Sequence, residues 1–268
     1  MTQKEELLVV IEPSQENHIA LERAILTSRL REVKPVLHLF IGVDAESTDL
    51  KARNANLFRD NKWLENLLKP IEEEGLEYTY EFSWSIEWAE ALLINADRVH
   101  PDLILIPDYE AGIRRSLFSD SKWAILRRSA CPVMIVRPGA SSHRKRILAA
   151  INVQNEDPKY VELNEKIISK SLQVAKLYKA ELFVVNAYSD SLNYPNREKI
   201  MARTALPSKN VHAEQGDTAD IIAEYANRIK ADLVVMGTMA RKGALSLMRG
   251  NTSERLLNRI KQDVITCS

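Results

Sequence analysis

The stretch Asp232-Leu-Val-Val-Met-Gly237 decides the fold, because the chain contains this pattern twice. The earlier copy reads Asp102-Leu-Ile-Leu-Ile-Pro107, and residues 102–128 align without gaps on residues 232–258. In each copy a short apolar run, typical of a parallel strand covered on both faces, leads into a loop, a helix and another short strand. A repeat at a fixed offset indicates two duplicated units.

The composition is that of a globular protein and excludes several classes of function. The chain has 268 residues, of which 45% are apolar and 28% charged, so two domains of about 130 residues each fit. The 37 Lys and Arg balance the 37 Asp and Glu, which leaves no overall field to attract nucleic acid or an anionic membrane. No run reaches the roughly 18–20 apolar residues of a membrane span, and the N-terminus lacks a signal-peptide core. We therefore expect a cytoplasmic protein without nucleic-acid or membrane partners.

Five short strands are predicted in each half, separated by amphipathic helices. The strands are Leu7–Ile11, Val36–Val43, Tyr78–Phe82, Leu103–Ile106 and Val133–Val136, then Ile147–Ile151, Leu182–Tyr188, Val211–Glu214, Leu233–Met236 and Val264–Thr266. The second and third helices of the two halves are predicted over Leu57–Ile71 and Trp88–Val99, and over Arg197–Thr204 and Asp220–Ile229. This alternation predicts an α/β fold of two tandem open parallel five-stranded sheets flanked by helices. The third strand of each half alternates more in polarity, so we expect it nearer a sheet edge.

The domain boundary is predicted at a basic linker, residues 141–146, which follows Pro138-Gly139. The predicted domains are residues 1–140 and residues 141–268. Ligands of such sheets bind beyond the carboxyl ends of the strands, so the loops after the first and fourth strands are where chemistry is expected.

The second half carries a glycine-rich loop at this place. The order of an apolar strand, Asn152, a helix, then Gly237-x-x-Ala240, a nine-residue spacer and Gly250-Asn251-Thr252 resembles the universal stress protein domain. The resemblance covers nearly the full length and is to the tandem-domain type of gram-negative bacteria. Further matching stretches are residues 9–17, 119–123, 131–133 and 163–166. It implies a Rossmann-like nucleotide-binding fold.

In that family the fourth-strand loop holds the phosphates of ATP, so the resemblance implies ATP, with its accompanying Mg²⁺, as a ligand of the second domain only. The implied site residues are Ala150, Asn152, Met236, Gly237, Met239, Ala240, Gly250, Asn251, Thr252 and Ser253. Glycines allow close approach to a pyrophosphate and positive φ, and the N–H groups of the helix that starts near Asn251 would face the anion. Arg241, Lys242 and Arg249 add positive charge.

The loop departs from the family pattern at three positions. Ala240 replaces the second glycine, at a cost of roughly 1–2 kcal/mol if that position needs positive φ. Asn251 replaces Ser or Thr, and Asn152 replaces an aspartate at the tip of the first strand. The alternative interpretation is that Gly237 and Gly250 are only turn and cap residues of a site that no longer binds nucleotide.

The first domain lacks the nucleotide motif. In the gapless alignment Pro107 and Asp120 replace Gly237 and Gly250, and Pro107 removes an N–H donor. The acids Glu12, Asp108, Glu110 and Asp120 are expected around the space that a phosphate would fill, with Arg114 and Arg115 paired to them. A carboxylate about 5 Å from a phosphate charge costs about 3 kcal/mol at an effective dielectric near 20. We therefore expect no ATP binding by this domain.

Other candidate residues favour structural roles. The five histidines lack metal-ligand spacing, so no metal is predicted beyond Mg²⁺ with ATP, and His212 with Glu214 is expected to form a structural pair. Cys131 and Cys267 are interpreted as buried thiols. The tryptophans Trp63, Trp84, Trp88 and Trp123 are expected mainly in the core, with an apolar ligand pocket as the alternative.

The function implied is that of a non-enzymatic, cytoplasmic stress-response protein with a nucleotide sensor in the second domain. The two domains are expected to pack as an internal pseudo-dimer through their last strands, with a homodimer as a further option. The alternative is a nucleotide-independent module whose first domain binds an apolar ligand or protein partner. An enzyme is least favoured, because no nucleophile or acid–base set is found. The chain ends at Ser268, a few residues short of the family's usual last strand, which suggests truncation.

Overall fold

The computed structural model describes residues 4–42, 60–83, 85, 87–109, 120–238 and 252–268. The chain divides into two compact units, Met1–Pro138 and Gly139–Ser268. Each unit has the α/β fold that the alternation of strands and helices predicts. No helix within the described ranges has both the length and the apolar character needed to cross a membrane.

The first unit contains a parallel sheet with the strand order β3-β2-β1-β4-β5. Its elements are β1 (Glu6–Ile11), α1 (Ile19–Ser28), β2 (Val36–Gly42), α2 (Asn61–Glu73), β3 (Glu77–Ser83), α3 (Trp88–Val99), β4 (Leu103–Pro107), α4 (Asp120–Arg128) and β5 (Val133–Val136). The middle strand β1 and its neighbour β4 are almost fully buried, as is typical of a parallel sheet covered by helices on both faces.

The second unit repeats this topology in the order β8-β7-β6-β9-β10. Its elements are β6 (Arg146–Ala150), α5 (Pro158–Tyr178), β7 (Glu181–Tyr188), α6 (Arg197–Thr204), β8 (Val211–Gln215), α7 (Thr218–Arg228), β9 (Leu233–Gly237), α8 (Thr252–Arg259) and β10 (Asp263–Cys267). As expected, the third strand of each unit, β3 or β8, lies at an end of its sheet. The carboxyl ends of β6 and β9 are neighbours, which brings the two predicted ligand loops together.

The helix bounds follow from local capping. Helix α7 begins two residues before the predicted Asp220, because the Asp217 carboxylate accepts hydrogen bonds from the N–H groups of Ala219 and Asp220, at 3.0 and 3.2 Å. Helix α5 begins at Pro158, where a proline costs no hydrogen bond, and Asp157 caps it. Helix α2 begins at Asn61, and the predicted start at Leu57 lies outside the described residues.

The gapless alignment of the two copies is wrong by one residue after the loop. Gly237 lies 130 residues after Pro107, but their sheet partners Cys267 and Val136 are 131 residues apart. The buried positions of α4 and α8 also match at an offset of 131, as Ile125 with Leu256. Asp120 therefore corresponds to Asn251 and not to Gly250, and the additional residue falls in the part of the loop that the structure does not describe.

The basic linker is also not wholly solvent-exposed. The Arg144 guanidinium donates a hydrogen bond of 2.8 Å to the Asp263 carboxylate, and both side chains are 0% exposed. The guanidinium also lies 5.2 Å from the centre of the Tyr178 ring. The segment before β6 is thus part of the core of the second unit, and Lys145 beside it is exposed.

Candidate functional site

The predicted site lies at the carboxyl edge of the second sheet. Of its ten residues, the structure describes Ala150 and Met236, which are buried strand ends, and Asn152, Gly237, Thr252 and Ser253 around them. Met239, Ala240, Gly250 and Asn251 lie outside the described residues, as do Arg241, Lys242 and Arg249. The described part of the predicted site thus consists of the strand ends and the first turn of α8.

The loop after β6 is fixed by a buried asparagine on helix α5. The N–H of Asn152 donates to Oδ1 of Asn164 at 3.0 Å, and Nδ2 of Asn164 donates to the Asn152 carbonyl at 2.7 Å. Asn164 is 4% exposed. Because both main-chain polar groups of Asn152 are satisfied by one side chain, its backbone is held in a single position.

A second buried asparagine, at the end of β7, holds the next two residues of this loop. Oδ1 of Asn186 accepts a hydrogen bond of 2.9 Å from the N–H of Val153, and its Nδ2 donates to Oε1 of Gln154 at 2.8 Å. Asn186 is 0% exposed. Gln154 Nε2 in turn donates to the Ala187 carbonyl at 3.2 Å, which joins the loop to the strand end. Neither asparagine was predicted as a site residue, although Asn164 lies in the matching stretch 163–166 and Asn186 interrupts the apolar run of β7.

The Asn152 side chain itself is exposed and takes part in no hydrogen bond within the described ranges. Its backbone is fixed, so the carboxamide extends from an ordered position at the tip of β6. A carboxamide offers one acceptor and two donors and carries no charge. The Asn152 carboxamide can therefore donate a hydrogen bond to a polar ligand or accept one from it. Because it is uncharged, it does not repel an anion.

Gly237 is required by helix packing and not by backbone conformation. An added Cβ would lie 2.6 Å from Cδ2 of Leu163 and 3.1 Å from Cδ1 of Ile167, both on helix α5. The described glycines with positive φ are Gly75, Gly139 and Gly216, and Gly237 is not among them. Gly237 therefore does not use the positive φ that glycine allows, and its missing side chain lets α5 approach the end of β9 closely.

The first turn of α8 faces the end of β9. The Ser253 hydroxyl lies 3.4 Å from the Gly237 carbonyl, and Thr252 is exposed. Glu254, also in this turn, is a buried carboxylate with interactions of its own. A carboxylate at this end of a helix interacts favourably with the helix dipole and so competes with a bound anion.

Lysines of helix α5 add positive charge near the end of β10. Nζ of Lys166 donates to the Ser268 carbonyl at 2.9 Å. Burial raises the pKa of the Cys267 thiol to about 11, and the nearby Lys170 and Lys166 lower it only in part. Cys267 is therefore a neutral, buried thiol at neutral pH and not an activated nucleophile.

The same edge of the first unit is closed by its own side chains. The Tyr109 hydroxyl donates to the Asn17 carbonyl at 2.7 Å, across the ends of β4 and β1. Burial and then the charge of Glu12 raise the pKa of the Tyr109 hydroxyl. Glu12, at the position of Asn152, accepts a hydrogen bond of 3.0 Å from Ser14.

The Asp108 carboxylate has two cationic partners among the described residues. It pairs with Lys122 at 3.2 Å and Arg137 at 3.4 Å, whereas Arg114 and Arg115 were expected to hold it. Glu110, Arg114, Arg115 and the side chain of Asp120 lie outside the described part of the chain. Pro107 ends β4, as expected.

The remaining candidate residues have structural roles. Nε2 of His212 lies 2.5 Å from Oε2 of Glu214, which confirms the predicted pair, and the His212 ring stacks on Tyr225 at 4.2 Å. The hydrogen bond with His212 lowers the pKa of Glu214. Both cysteines are free thiols, but Cys131 is only half-buried, contrary to expectation. Across the described ranges, no three His, Cys, Asp or Glu residues are arranged to hold a metal ion.

The tryptophans are mainly core residues. Trp88 and Trp123 are 3% and 4% exposed. Trp63 is half-buried and meets the His18 ring edge-on at 5.7 Å. Trp84 lies outside the described residues. The described tryptophans thus fill the first unit and do not favour a ligand pocket lined by these rings.

Sequence comparison places these features in a known family. The sequence profile of the universal stress protein family matches residues 173–268. The Universal stress protein E homolog of Haemophilus influenzae is 23% identical over 97% of this chain and 96% of its own length. Universal stress protein E of Salmonella typhi is 24% identical over 99% of this chain and 94% of its own. Residues 173–268 thus match the universal stress protein family, and the chain as a whole is similar to universal stress protein E. The match covers 97–99% of this chain and 94–96% of these relatives, so they are of similar length.

Solved structures support the same fold. A protein of Pseudomonas aeruginosa PAO1, described as functionally unknown, is 26% identical with a TM-score of 0.80, over 98% of this chain and 92% of that one. A universal stress protein of Archaeoglobus fulgidus is 16% identical with a TM-score of 0.76, over 99% of this chain and 98% of that one. At such identity the second likeness shows the universal stress protein fold and nothing about ligands.

Proposed function

We propose that this protein is a non-enzymatic, cytoplasmic stress-response protein whose second unit binds ATP at the carboxyl edge of its sheet. The observation that carries the proposal is the fixed loop after β6, which presents the uncharged Asn152 carboxamide beside the end of β9. Two buried asparagines order this loop through hydrogen bonds within the chain. A preformed site of this kind is typical of small-molecule binding.

The residues at this edge fit a nucleotide in two parts. The Asn152 carboxamide would hydrogen-bond the nucleoside. The phosphates would face the N–H groups at the start of α8 near Thr252 and Ser253, where the helix dipole favours an anion. Mg²⁺ bound with ATP would supply countercharge to the phosphates. Gly237 lets α5 pack directly on the end of β9, which fixes this edge of the sheet.

A sensing role and not a catalytic one is proposed because the thiol at the end of β10 is inactive. Cys267 is 2% exposed, and its raised pKa of about 11 keeps it protonated. The first unit is proposed to be a degenerate copy without nucleotide, since Tyr109 and Asp108 fill the corresponding edge.

The proposal is tested by the ATP-dependent thermal shift of the full chain. ATP at ten times its Kd should raise the Tm by about 3–6 °C. Asn152→Ala should weaken ATP binding about 3–10-fold, the value of one hydrogen bond. The matched control is Asn227→Ala, which removes an exposed amide from the far end of α7 and should leave binding unchanged.

Two results would contradict the proposal. If the wild-type protein shows no shift at millimolar ATP, the nucleotide site is refuted and the nucleotide-independent binding module becomes the leading hypothesis. If ATP binds but Asn152→Ala and Asn227→Ala behave alike, the nucleoside does not lie at Asn152.

A further inference from the structure

Three charged side chains of the first unit converge where the second unit has none. Asp108 directly follows β4, and its N–H donates to the Val136 carbonyl at 2.8 Å, which fixes its position. Lys122 Nζ lies 3.2 Å from Oδ1 of Asp108, and Arg137 Nε lies 3.4 Å from Oδ2. Each oxygen of the carboxylate therefore faces its own cation.

These cations are held by elements other than the one that supplies the carboxylate. Lys122 belongs to the first turn of α4, and Arg137 directly follows β5. Their side chains are only 11% and 12% exposed, compared with 23% for Asp108. Charges this deeply placed are screened less than surface pairs, so the site attracts a negative group strongly.

The second unit shows what this place corresponds to. Asp108 matches Thr238, and at the offset of 131 residues Lys122 matches Ser253 and Arg137 matches Ser268. All three counterparts are uncharged. Ser253 lies in the helix turn at which we propose that the phosphates bind. The first unit thus places a cation at the equivalent position and an aspartate of its own against it.

We propose that Lys122 and Arg137 form an oxyanion site in the first unit, which Asp108 occupies in cis. The ligand class is a phosphate group, either free or at the end of a nucleotide, and the Asp108 carboxylate competes with it from within the chain. A tethered group acts at a local concentration of millimolar or more, so it excludes a free anion of ordinary affinity. This site goes beyond the proposed function, which concerns the second unit.

The test is to remove the charge of Asp108 in the full chain and titrate inorganic phosphate. Asp108→Asn keeps the size of the side chain, and Asp108→Thr gives the position the residue of the second unit, so either variant can serve if the other fails to fold. Lys122 and Arg137 both have further interactions. In the variants each cation therefore loses the Asp108 carboxylate but keeps its other partners. Phosphate at ten times its Kd should raise the Tm of either variant by about 3–6 °C and leave the wild-type Tm unchanged.

Two controls make the shift specific to this cluster. Asp97→Asn removes an exposed carboxylate from helix α3 and should respond to phosphate as the wild type does. The double variant Asp108→Asn with Lys122→Gln should bind phosphate at least tenfold more weakly than the single variant Asp108→Asn, since a charge-assisted hydrogen bond is removed.

ATP is titrated separately by calorimetry to distinguish the two sources of phosphate. If a variant binds one more ATP per chain than the wild type, the site accepts the nucleotide. If a variant responds only to inorganic phosphate, the site accepts the free anion. Both outcomes support the proposal. If folded Asp108→Asn and Asp108→Thr respond to neither ligand, or respond no more than Asp97→Asn does, the cluster is a purely structural ion pair and the proposal is wrong. The wild-type ATP stoichiometry reports independently on the second unit.

Discussion

The buried ion pair of Arg144 and Asp263 gives a sharp prediction about the stability of the second unit. Both side chains are 0% exposed, and the guanidinium donates to the carboxylate at 2.8 Å. In Arg144→Met the carboxylate keeps its burial but loses this partner. Removing one member of a buried pair costs about 3–5 kcal/mol, because the remaining carboxylate stays desolvated and loses its counterion. The loss of the guanidinium over the Tyr178 ring acts in the same direction.

The measurement is urea unfolding of the full chain. With a slope near 2 kcal/mol/M, a loss of about 4 kcal/mol lowers the midpoint by about 2 M. All tryptophans of the chain precede residue 138, so tryptophan fluorescence reports on the first unit. Circular dichroism reports on both units. We expect the urea midpoint to decrease in the dichroism transition that corresponds to the second unit.

The controls separate buried charge from general perturbation. Lys145→Met changes the exposed neighbour in the same basic run and should stay within about 0.5 kcal/mol of the wild type. Arg144→Met combined with Asp263→Leu should regain most of the loss, because no unpaired charge remains buried. A single variant that costs less than about 1 kcal/mol, or no more than Lys145→Met, would refute the reasoning.

Three further predictions concern the site. Gly237→Ala should destabilise the second unit by about 1–3 kcal/mol, because the added methyl group meets Leu163. Adding Leu163→Ala should relieve that contact. Equal urea midpoints for Gly237→Ala and the wild type would contradict the packing argument. Asn251→Asp, which supplies the residue of the first unit at the matching position, should eliminate the ATP-dependent thermal shift while circular dichroism stays native; unchanged ATP affinity would place the phosphates elsewhere. The Cys267 pKa is raised to about 11 in the folded protein, so the unfolded thiol ionises first and stability should fall as pH rises from about 9 to 11, by at most about 3 kcal/mol. Cys267→Ala should flatten this part of the stability profile, and a slope identical to that of the wild type would show that other groups cause it.

The strands and helices could be predicted because their periodicity is local. The helices over Trp88–Val99 and Arg197–Thr204 have the predicted bounds, and β5 is found at Val133–Val136. Each of these elements is set by apolar spacing and by a nearby turn or cap. The edge positions of β3 and β8 followed from their alternating polarity, whereas the full strand order was not predicted.

The partners of polar residues could not be predicted, because they depend on tertiary contacts. Arg144 stands in a run of basic residues in which its neighbours are exposed, and nothing local distinguishes it. Asn164 and Asn186 hold the loop after β6 from two different elements, 22 residues apart in the chain. Asp108 likewise pairs with cations from α4 and from beyond β5. Only the packed fold brings such groups within reach of each other.

The offset between the two copies shows a further limit of sequence comparison. Gly237 and Pro107 end equivalent strands, but the added residue in one loop shifts every later equivalence by one. In the gapless match Ile125 would correspond to Arg255, whereas at the offset of 131 it corresponds to Leu256. The alternation of buried and exposed positions in α4 and α8 resolves it, since the buried face must meet the sheet.

The clamped loop after β6 has a consequence for the rate of binding. Asn164 and Asn186 already order residues 152–154, so a ligand that reaches Asn152 has no loop to fold. Association at this end of the site should then proceed in a single step at about 10⁵–10⁷ M⁻¹s⁻¹, without a slow phase that saturates with ligand concentration. Differences in affinity among nucleotides would accordingly lie in their residence times on the protein.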